Sequence, residues 1–484
     1  MALRLQLAGG YFRRPMPSRV LLISANRCTT PEPVFPLGLA CLNAALRQAG
    51  HQTLWLDLLI NADRFAEMLG SFRPDFVGIS LRNIDDVFIR KRETFFDELA
   101  SLGANIRRYT VAPIILGGSG FSIFPERLLE LSGADFGIAG EGEPGFLALI
   151  EVLKDGRDYR NITGLVYRQN GKILTNPAAV SPLDRELTEA DRPAEIAVHY
   201  LGASGMLNLQ TQRGCRFRCC YCTYPLIEGR LHRRRPPELV ASEFERLQRQ
   251  GAKYVFIVDS VFNSSARHAT ETCEAILRHN VKMSWGCFLR PQGLTPELMD
   301  LMARAGLTHI EFGSDSFSNT TLAAYHKDFT FDDILRSNEL ARQRKVACCH
   351  FLICGGPGET SATLCESFEN SRQLNAATIV AVVGMRIYPG THLYQQAVAE
   401  GRINRDADLL APTYYLASGL TEEMVFARLH EFARLSSNWI VGNPVPGYTN
   451  LVQRLRKRSV TGPFWSYFST MQRLRQPGAA LSHT

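Results

Sequence analysis

The chain has 484 residues, 45% of them hydrophobic, 21% charged and 10% aromatic. That composition excludes a disordered scaffold or a collagen-like rod and suffices for about three structural units with sizeable cores. Fifty-four Lys plus Arg against 47 Asp plus Glu leave a net charge of +7, too mild to call for nucleic acid. The most nearly continuous apolar stretch, 376–385, is about half the length that crosses a bilayer. Gly9, Gly10, Arg13 and Arg14 interrupt any apolar signal segment, so a cytoplasmic protein is expected.

From residue 18 to about 153, short apolar runs alternate with helical spacing. Residues 20–25, 53–57, 76–80, 112–116 and 135–139 read as strands, and 37–48, 63–71, 93–108, 125–131 and 144–153 as helices. Nearly continuous apolar strands suit a parallel sheet covered on both faces, so this α/β unit is expected to be a doubly wound, flavodoxin-like domain over 18–160. Asn170 and Gly171 between two apolar runs predict a hairpin over 164–175, followed by a polar linker, the two together filling 161–204. A second alternation has strands at 206–211, 254–258, 282–287, 308–313, 348–354 and 379–385. Six such units over 205–400 predict a partial (β/α)6 TIM-type barrel. The remainder, 401–484, reads as a helical region ending in a basic, aromatic tail. That tail either packs its aromatics on the barrel or touches a membrane surface. Residues 230–235 form a basic loop, either solvated or in contact with an anionic ligand.

Twelve cysteines without a signal segment do not suggest a disulfide framework. Four crowd together: Cys215, Cys219, Cys220 and Cys222. Cys215-x3-Cys219-x2-Cys222 follows a predicted strand. Three thiolates on one loop can bind three irons of a cubane and leave the fourth open to a chelating ligand. A structural zinc loop closed by Cys220 or His232 is the plain alternative.

CxxxCxxC after the first strand of a β/α barrel resembles the radical S-adenosylmethionine (radical SAM) superfamily. The resemblance implies that Cys215, Cys219 and Cys222 ligate a 4Fe-4S cluster, with Cys220 outside the ligand set. S-adenosyl-L-methionine (SAM) on the open iron would be cleaved reductively to a 5′-deoxyadenosyl radical. Tyr221 matches the aromatic residue near the adenine. Asp259 and Ser260 end the second strand, where the family binds the SAM amino group. Asp315 and Ser316 end the fourth, near the ribose and carboxylate, although Glu-Ser is commoner there. Residues 351–360 resemble the fifth-strand turn. Residues 385–391 resemble the stretch after the sixth, which makes Arg386 a candidate SAM contact.

One subgroup of this family carries a cobalamin-binding domain before the barrel, and residues 18–400 resemble such B12-binding members. Candidate cobalamin contacts are Ser80, Leu81 and Arg82 after the third strand, Gly117, Gly118, Ser119 and Gly120 after the fourth, and Gly140, Glu141 and Gly142 after the fifth. All lie at the C-terminal edge of the sheet, where open α/β folds bind ligands and glycines let a bulky group approach. Residues 24–30 lack the histidine loop with which some cobalamin domains replace the lower axial ligand, so no protein imidazole is expected on cobalt. A nucleotide- or partner-binding Rossmann-like module is the alternative for this domain.

The activity implied is methylation of an unactivated carbon through a 5′-deoxyadenosyl radical and methylcobalamin. An external electron donor of flavodoxin or ferredoxin type would be its partner. The substrate would be a small molecule or lipid: an isoprenoid, tetrapyrrole, antibiotic or phosphonate. Radical ring formation or skeletal rearrangement with the same cofactors is the first alternative. A non-catalytic iron–sulfur redox sensor is the second, and it would not need the strand-end motifs.

Overall fold

Residues 17–29, 32–178 and 189–442 are described by the computed structural model, together with 454, 456, 460–463 and 465–467 in the tail. The N-terminal sheet runs Gln52–Asp57, Arg19–Ser24, Phe76–Ser80, Ile114–Gly117, Phe136–Ile138, all parallel. This is the flavodoxin-like 2-1-3-4-5 order, whose switch point opens at the C-terminal edge. The apolar runs read from the sequence are its strands, with Val20 to Ile23 fully buried.

The expected hairpin forms as Leu165–Gln169 and Lys172–Thr175, with Asn170 and Gly171 both at positive φ. It is not a separate connector, because Leu165–Gln169 pairs antiparallel with Phe136–Ile138 and extends the first sheet. The helix expected over 93–108 shrinks to Leu99–Arg107. The chain before it, 81–98, is irregular yet buries Ile84, Ile89 and Phe96 as a flap over the sheet edge. Of the expected linker, 179–188 lies outside the described residues, and helix Ala194–Ser204 follows it.

The barrel sheet runs in sequence order: Leu207–Leu209, Tyr254–Ile257, Ser284–Leu289, Leu307–Asp315, Ala347–Cys354 and Ala377–Val383. A seventh parallel strand, Trp439–Val441, adds to the six expected. It comes from the region expected to be helical. That region does supply helix Glu422–Leu435, whose first turn is capped by the Thr421 hydroxyl accepting from Met424 N–H at 3.3 Å.

The sheet and the barrel share their cores. One buried cluster joins Leu21, Val77 and Leu116 to Leu352, Ile379 and Trp439. The ion pairs across the boundary are buried: Arg386 Nε donates to Asp85 at 2.8 Å, and Arg213 Nη2 to Glu143 at 2.7 Å. The tail packs on the barrel, with Trp465 buried and its ring N–H donating to Glu311 Oε1 at 2.8 Å, while Arg456 pairs with Glu32. Arg454 is exposed, and Lys457, Arg458, Phe464, Phe468, Arg473 and Arg475 lie outside the described residues. Among the described residues, no helix is long and apolar enough to cross a membrane.

Candidate active site

The cysteine loop leaves the first barrel strand through Gln212–Arg213, which pairs with Arg233–Arg234. Gly214 has to be glycine, because its φ is +92° and a Cβ would lie 2.0 Å from the Leu231 carbonyl oxygen. Cys215 N–H donates to the Gly229 carbonyl at 3.0 Å and Cys222 N–H to the Cys219 carbonyl at 3.2 Å, which winds the loop into a cup. Burial raises the Cys215 thiol and pushes Cys222 up to about 12. Cys220 points the other way. It is fully buried, 3.9 Å from the Met385 sulfur, and its backbone is held by Tyr325 and Leu393. This packing supports the expectation that Cys220 stands outside the ligand set.

Among the described residues, no three His, Cys, Asp or Glu side chains converge on a point that a single ion would fill. A cubane needs a looser arrangement, with each thiolate on a different iron, and three unpaired cysteines around one cup fit it. A cluster of thiolates is anionic, and two cations stand beside it. Arg290 stacks 3.7 Å over Phe217 and interacts with Cys219 and Cys215. The Lys327 ammonium interacts with Cys219 and Asp315, and these outweigh the burial that would lower it. Neither was singled out from the sequence. Each is a lone cation far along the chain, carried to the cup by the third and fourth barrel strands.

Asp315 ends the fourth strand in the left-handed region, φ +63°, where the pairing register with Ala347–Cys354 shifts. Such a conformation costs a non-glycine residue of the order of 1 kcal/mol, and here it aims the carboxylate at the cup. Tyr221 donates to Asp315 Oδ2 at 2.6 Å, and Lys327 Nζ lies 2.5 Å from the same oxygen. Ser260 donates to the Gly214 carbonyl at 3.0 Å and hydrogen-bonds Cys215, so it steadies the loop.

Three candidate SAM contacts are spent elsewhere. Asp259 is fully buried and accepts from the backbone N–H of Thr211 at 2.7 Å and of Gln212 at 3.2 Å, which ties the first strand's end to the second. Ser316 is buried against Ser367 and Ser318. Arg386 is enclosed by Asp85, the Ile387 carbonyl at 2.8 Å and the Leu409 carbonyl at 2.8 Å. Polar groups at these strand ends serve backbone and domain contacts. Arg386→Met is therefore expected to leave SAM affinity within about twofold while costing about 3 kcal/mol of stability, since Asp85 would stay buried without a counter-charge. Isothermal titration and urea denaturation read the two effects separately.

The glycines of the N-terminal domain also serve close packing within the protein. A Cβ on Gly118 would lie 2.5 Å from the Leu81 carbonyl oxygen, and one on Gly120 3.0 Å from that of Arg82. Ser119 donates to the Arg82 carbonyl at 2.9 Å. The run from Gly117 to Gly120 thus docks the flap's first residues, and Leu81 is buried beneath it. Glu141 pairs with Arg233 and, at 3.8 Å, with Arg213. The basic loop is neither solvated throughout nor free for a ligand: Arg233 and Arg235 are buried in pairs with Glu141 and Glu243, while Arg230 and Arg234 are exposed.

What stays open along the sheet edge suits a polar ligand. Asn26, just past the first strand, is buried, and neither of its side-chain polar atoms has a partner among the described residues. The Arg82 guanidinium is lowered by burial and makes no hydrogen bond among the described residues. A Cβ on Gly142 would meet nothing within 4 Å, and Ser80 and Gly140 are half-buried. No histidine occurs in 24–29, in keeping with cobalt held without a protein imidazole.

Residues 24–150 match the model of the B12 binding domain, and residues 209–370 that of the radical SAM superfamily. The tryptophan 2-C-methyltransferase of Streptomyces laurentii is 25% identical over 437 residues, covering 76% of this chain and 73% of the relative. The anaerobic magnesium-protoporphyrin IX monomethyl ester cyclase of Rubrivivax gelatinosus is 25% identical over 355 residues, covering 70% of this chain and 62% of its own. The fold matches that of the radical SAM methyltransferase TsrM from Kitasatospora setae, solved with cobalamin and a 4Fe-4S cluster bound. The TM-score is 0.83 at 23% identity, over 95% of this chain and 98% of that one. The chain belongs to the B12-binding radical SAM family. It is a radical SAM enzyme whose cofactors are a 4Fe-4S cluster, SAM and cobalamin.

Proposed function

We propose that the enzyme methylates an unactivated carbon of a small-molecule substrate. The observation that carries this reading is the meeting of the two cofactor edges. Helix Ser119–Ile123 of the sheet edge packs against helix Tyr224–Ile227, which directly follows Cys222, and Arg82 feels the Tyr224 hydroxyl. A group carried on cobalt and a radical made at the cluster can then act on one substrate in one enclosure. The cluster would supply the electron that cleaves SAM, and cobalamin the methyl carrier. A flavodoxin- or ferredoxin-type protein would deliver that electron.

The chain's own residues divide the remaining work. Cys215, Cys219 and Cys222 hold the cluster, and Ser260 positions Cys215. Tyr221 and Asp315 hold SAM beside it, with Lys327 and Arg290 offsetting the negative charge of the cluster and of the SAM carboxylate. Lys327→Met should raise the SAM dissociation constant at least tenfold, about 1.4 kcal/mol, with iron content unchanged. Unaltered SAM binding in that variant would remove Lys327 from the site. The function itself is tested on protein reconstituted anaerobically with iron, sulfide and cobalamin and given SAM and reductant. Both 5′-deoxyadenosine and S-adenosylhomocysteine should accumulate. Release of 5′-deoxyadenosine alone would favour ring formation, the chemistry named for the cyclase relative.

A further inference from the structure

The inward face of the barrel carries apolar side chains that stay partly accessible, with a carboxyl below them. Phe288, Phe351, Val380 and Val382 point inward from three strands, belong to neither buried core cluster and are each only partly covered. Gly313 lies inside the strand Leu307–Asp315, where the pairing register shifts just past Phe312; it is exposed, and a Cβ there would meet nothing within 4 Å. Two residues below it on the same strand, on the same face, stands Glu311, paired with Phe288 and Cys349 across the sheet.

Glu311 is only partly covered, although the protein crowds it enough for burial to push its carboxyl up to about 7. Enclosure around an open space produces that combination. Oε1 accepts from the Trp465 ring N–H at 2.8 Å, while Oε2 takes no bond among the described residues. Below it the floor is closed by the tail, with Gly462 against His309 and Tyr254, and by the Arg456–Glu32 pair. The side chain that closes the floor thus fixes one carboxyl oxygen and leaves the other facing that open space.

We propose that Glu311 is the substrate's polar anchor, and that the substrate is an apolar, ring-sized molecule carrying an N–H or O–H donor that reaches Oε2. The apolar walls take the body of the molecule, and the carboxyl fixes which of its carbons faces the cluster end of the strand. Rejection of a look-alike without the donor follows, because Oε2 would be covered and left unpaired. This rests on the reading that the barrel encloses the substrate of a radical SAM enzyme.

The test uses indole and benzothiophene, rings of the same shape that differ in N–H against S, binding to the reconstituted full chain in equilibrium dialysis. Wild type should bind indole at least tenfold more tightly. Glu311→Gln should abolish the preference, because the amide must give its oxygen to Trp465 and would present N–H to the ring. Gly313→Val, whose Cβ enters open space, should weaken both rings. Equal binding of the two rings by wild type, a preference kept in Glu311→Gln, or no effect of Gly313→Val would each overturn the proposal. The wild-type comparison decides even if a variant misfolds. Iron, cobalamin and SAM uptake measured on the same samples separate the two readings. Loaded protein without the preference rejects the anchor alone, whereas the preference in protein that takes up no cobalamin rejects the proposed function alone.

Discussion

Cys215→Ala, Cys219→Ala and Cys222→Ala are each expected to abolish 5′-deoxyadenosine formation, with Cys220→Ala keeping the wild-type iron content. The cup has one sulfur for each of three irons, and losing any of them leaves two irons open, a site that cannot both retain the cluster and chelate SAM. Cys220 is packed against Met385 with its backbone held by Tyr325 and Leu393, so its thiol cannot swing into the cup without unfolding that corner. Iron analysis after anaerobic reconstitution, with chromatography of the SAM cleavage products, separates the four variants. Equal iron loss in Cys220→Ala would show that the ligands have been misassigned.

Arg213→Met is expected to be the most destabilising single change at the domain boundary, by about 3–5 kcal/mol. Arg213 lies two residues before Cys215 and is buried between two carboxylates of the first domain, Glu143 at 2.7 Å and Glu141 at 3.8 Å. Burial acts to lower its guanidinium, but Glu143 and Glu141 together hold it well above its ordinary value. Methionine fills similar volume and removes the charge, which strands Glu143 without a partner. The double variant Arg213→Met/Glu143→Gln should recover much of the loss, since no buried charge is then left alone. Urea midpoints measure both. A loss below about 1 kcal/mol in the single variant would mean that the boundary is hydrated and the pair screened.

The parts that could be read from the sequence share one property: their information is local. Residues 20–25 and 76–80 are continuous apolar runs that only a sheet covered on both faces accommodates. Asn170 and Gly171 supply the two positive φ values of their turn, and the cysteine spacing carries its own stoichiometry. The seventh strand was illegible because Trp439–Val441 offers only three residues, and its pairing with Ala377–Val383 is a tertiary fact. The roles of Asp259, Ser316 and Arg386 were not legible because a polar residue at a strand end satisfies backbone groups as readily as a ligand. Only the geometry of Thr211, Ser367 and Asp85 distinguishes the two. Gly118 and Gly120 carry no clearer signal, since a glycine demanded by a neighbouring carbonyl looks the same as one demanded by a cofactor. Lys327 and Glu311 could not be found in advance. A single charged residue acquires meaning here only when the barrel brings Tyr221 to one and Trp465 to the other.

The central claim, that a methyl group passes from SAM to a carbon of the substrate, is tested most directly with methyl-deuterated SAM. The reconstituted enzyme, supplied with reductant and its substrate, should give product heavier by one fully labelled methyl group. One S-adenosylhomocysteine and one 5′-deoxyadenosine should form per product molecule, each counted by mass spectrometry. Product formed with 5′-deoxyadenosine but carrying no label, and with no S-adenosylhomocysteine, would contradict methyl transfer.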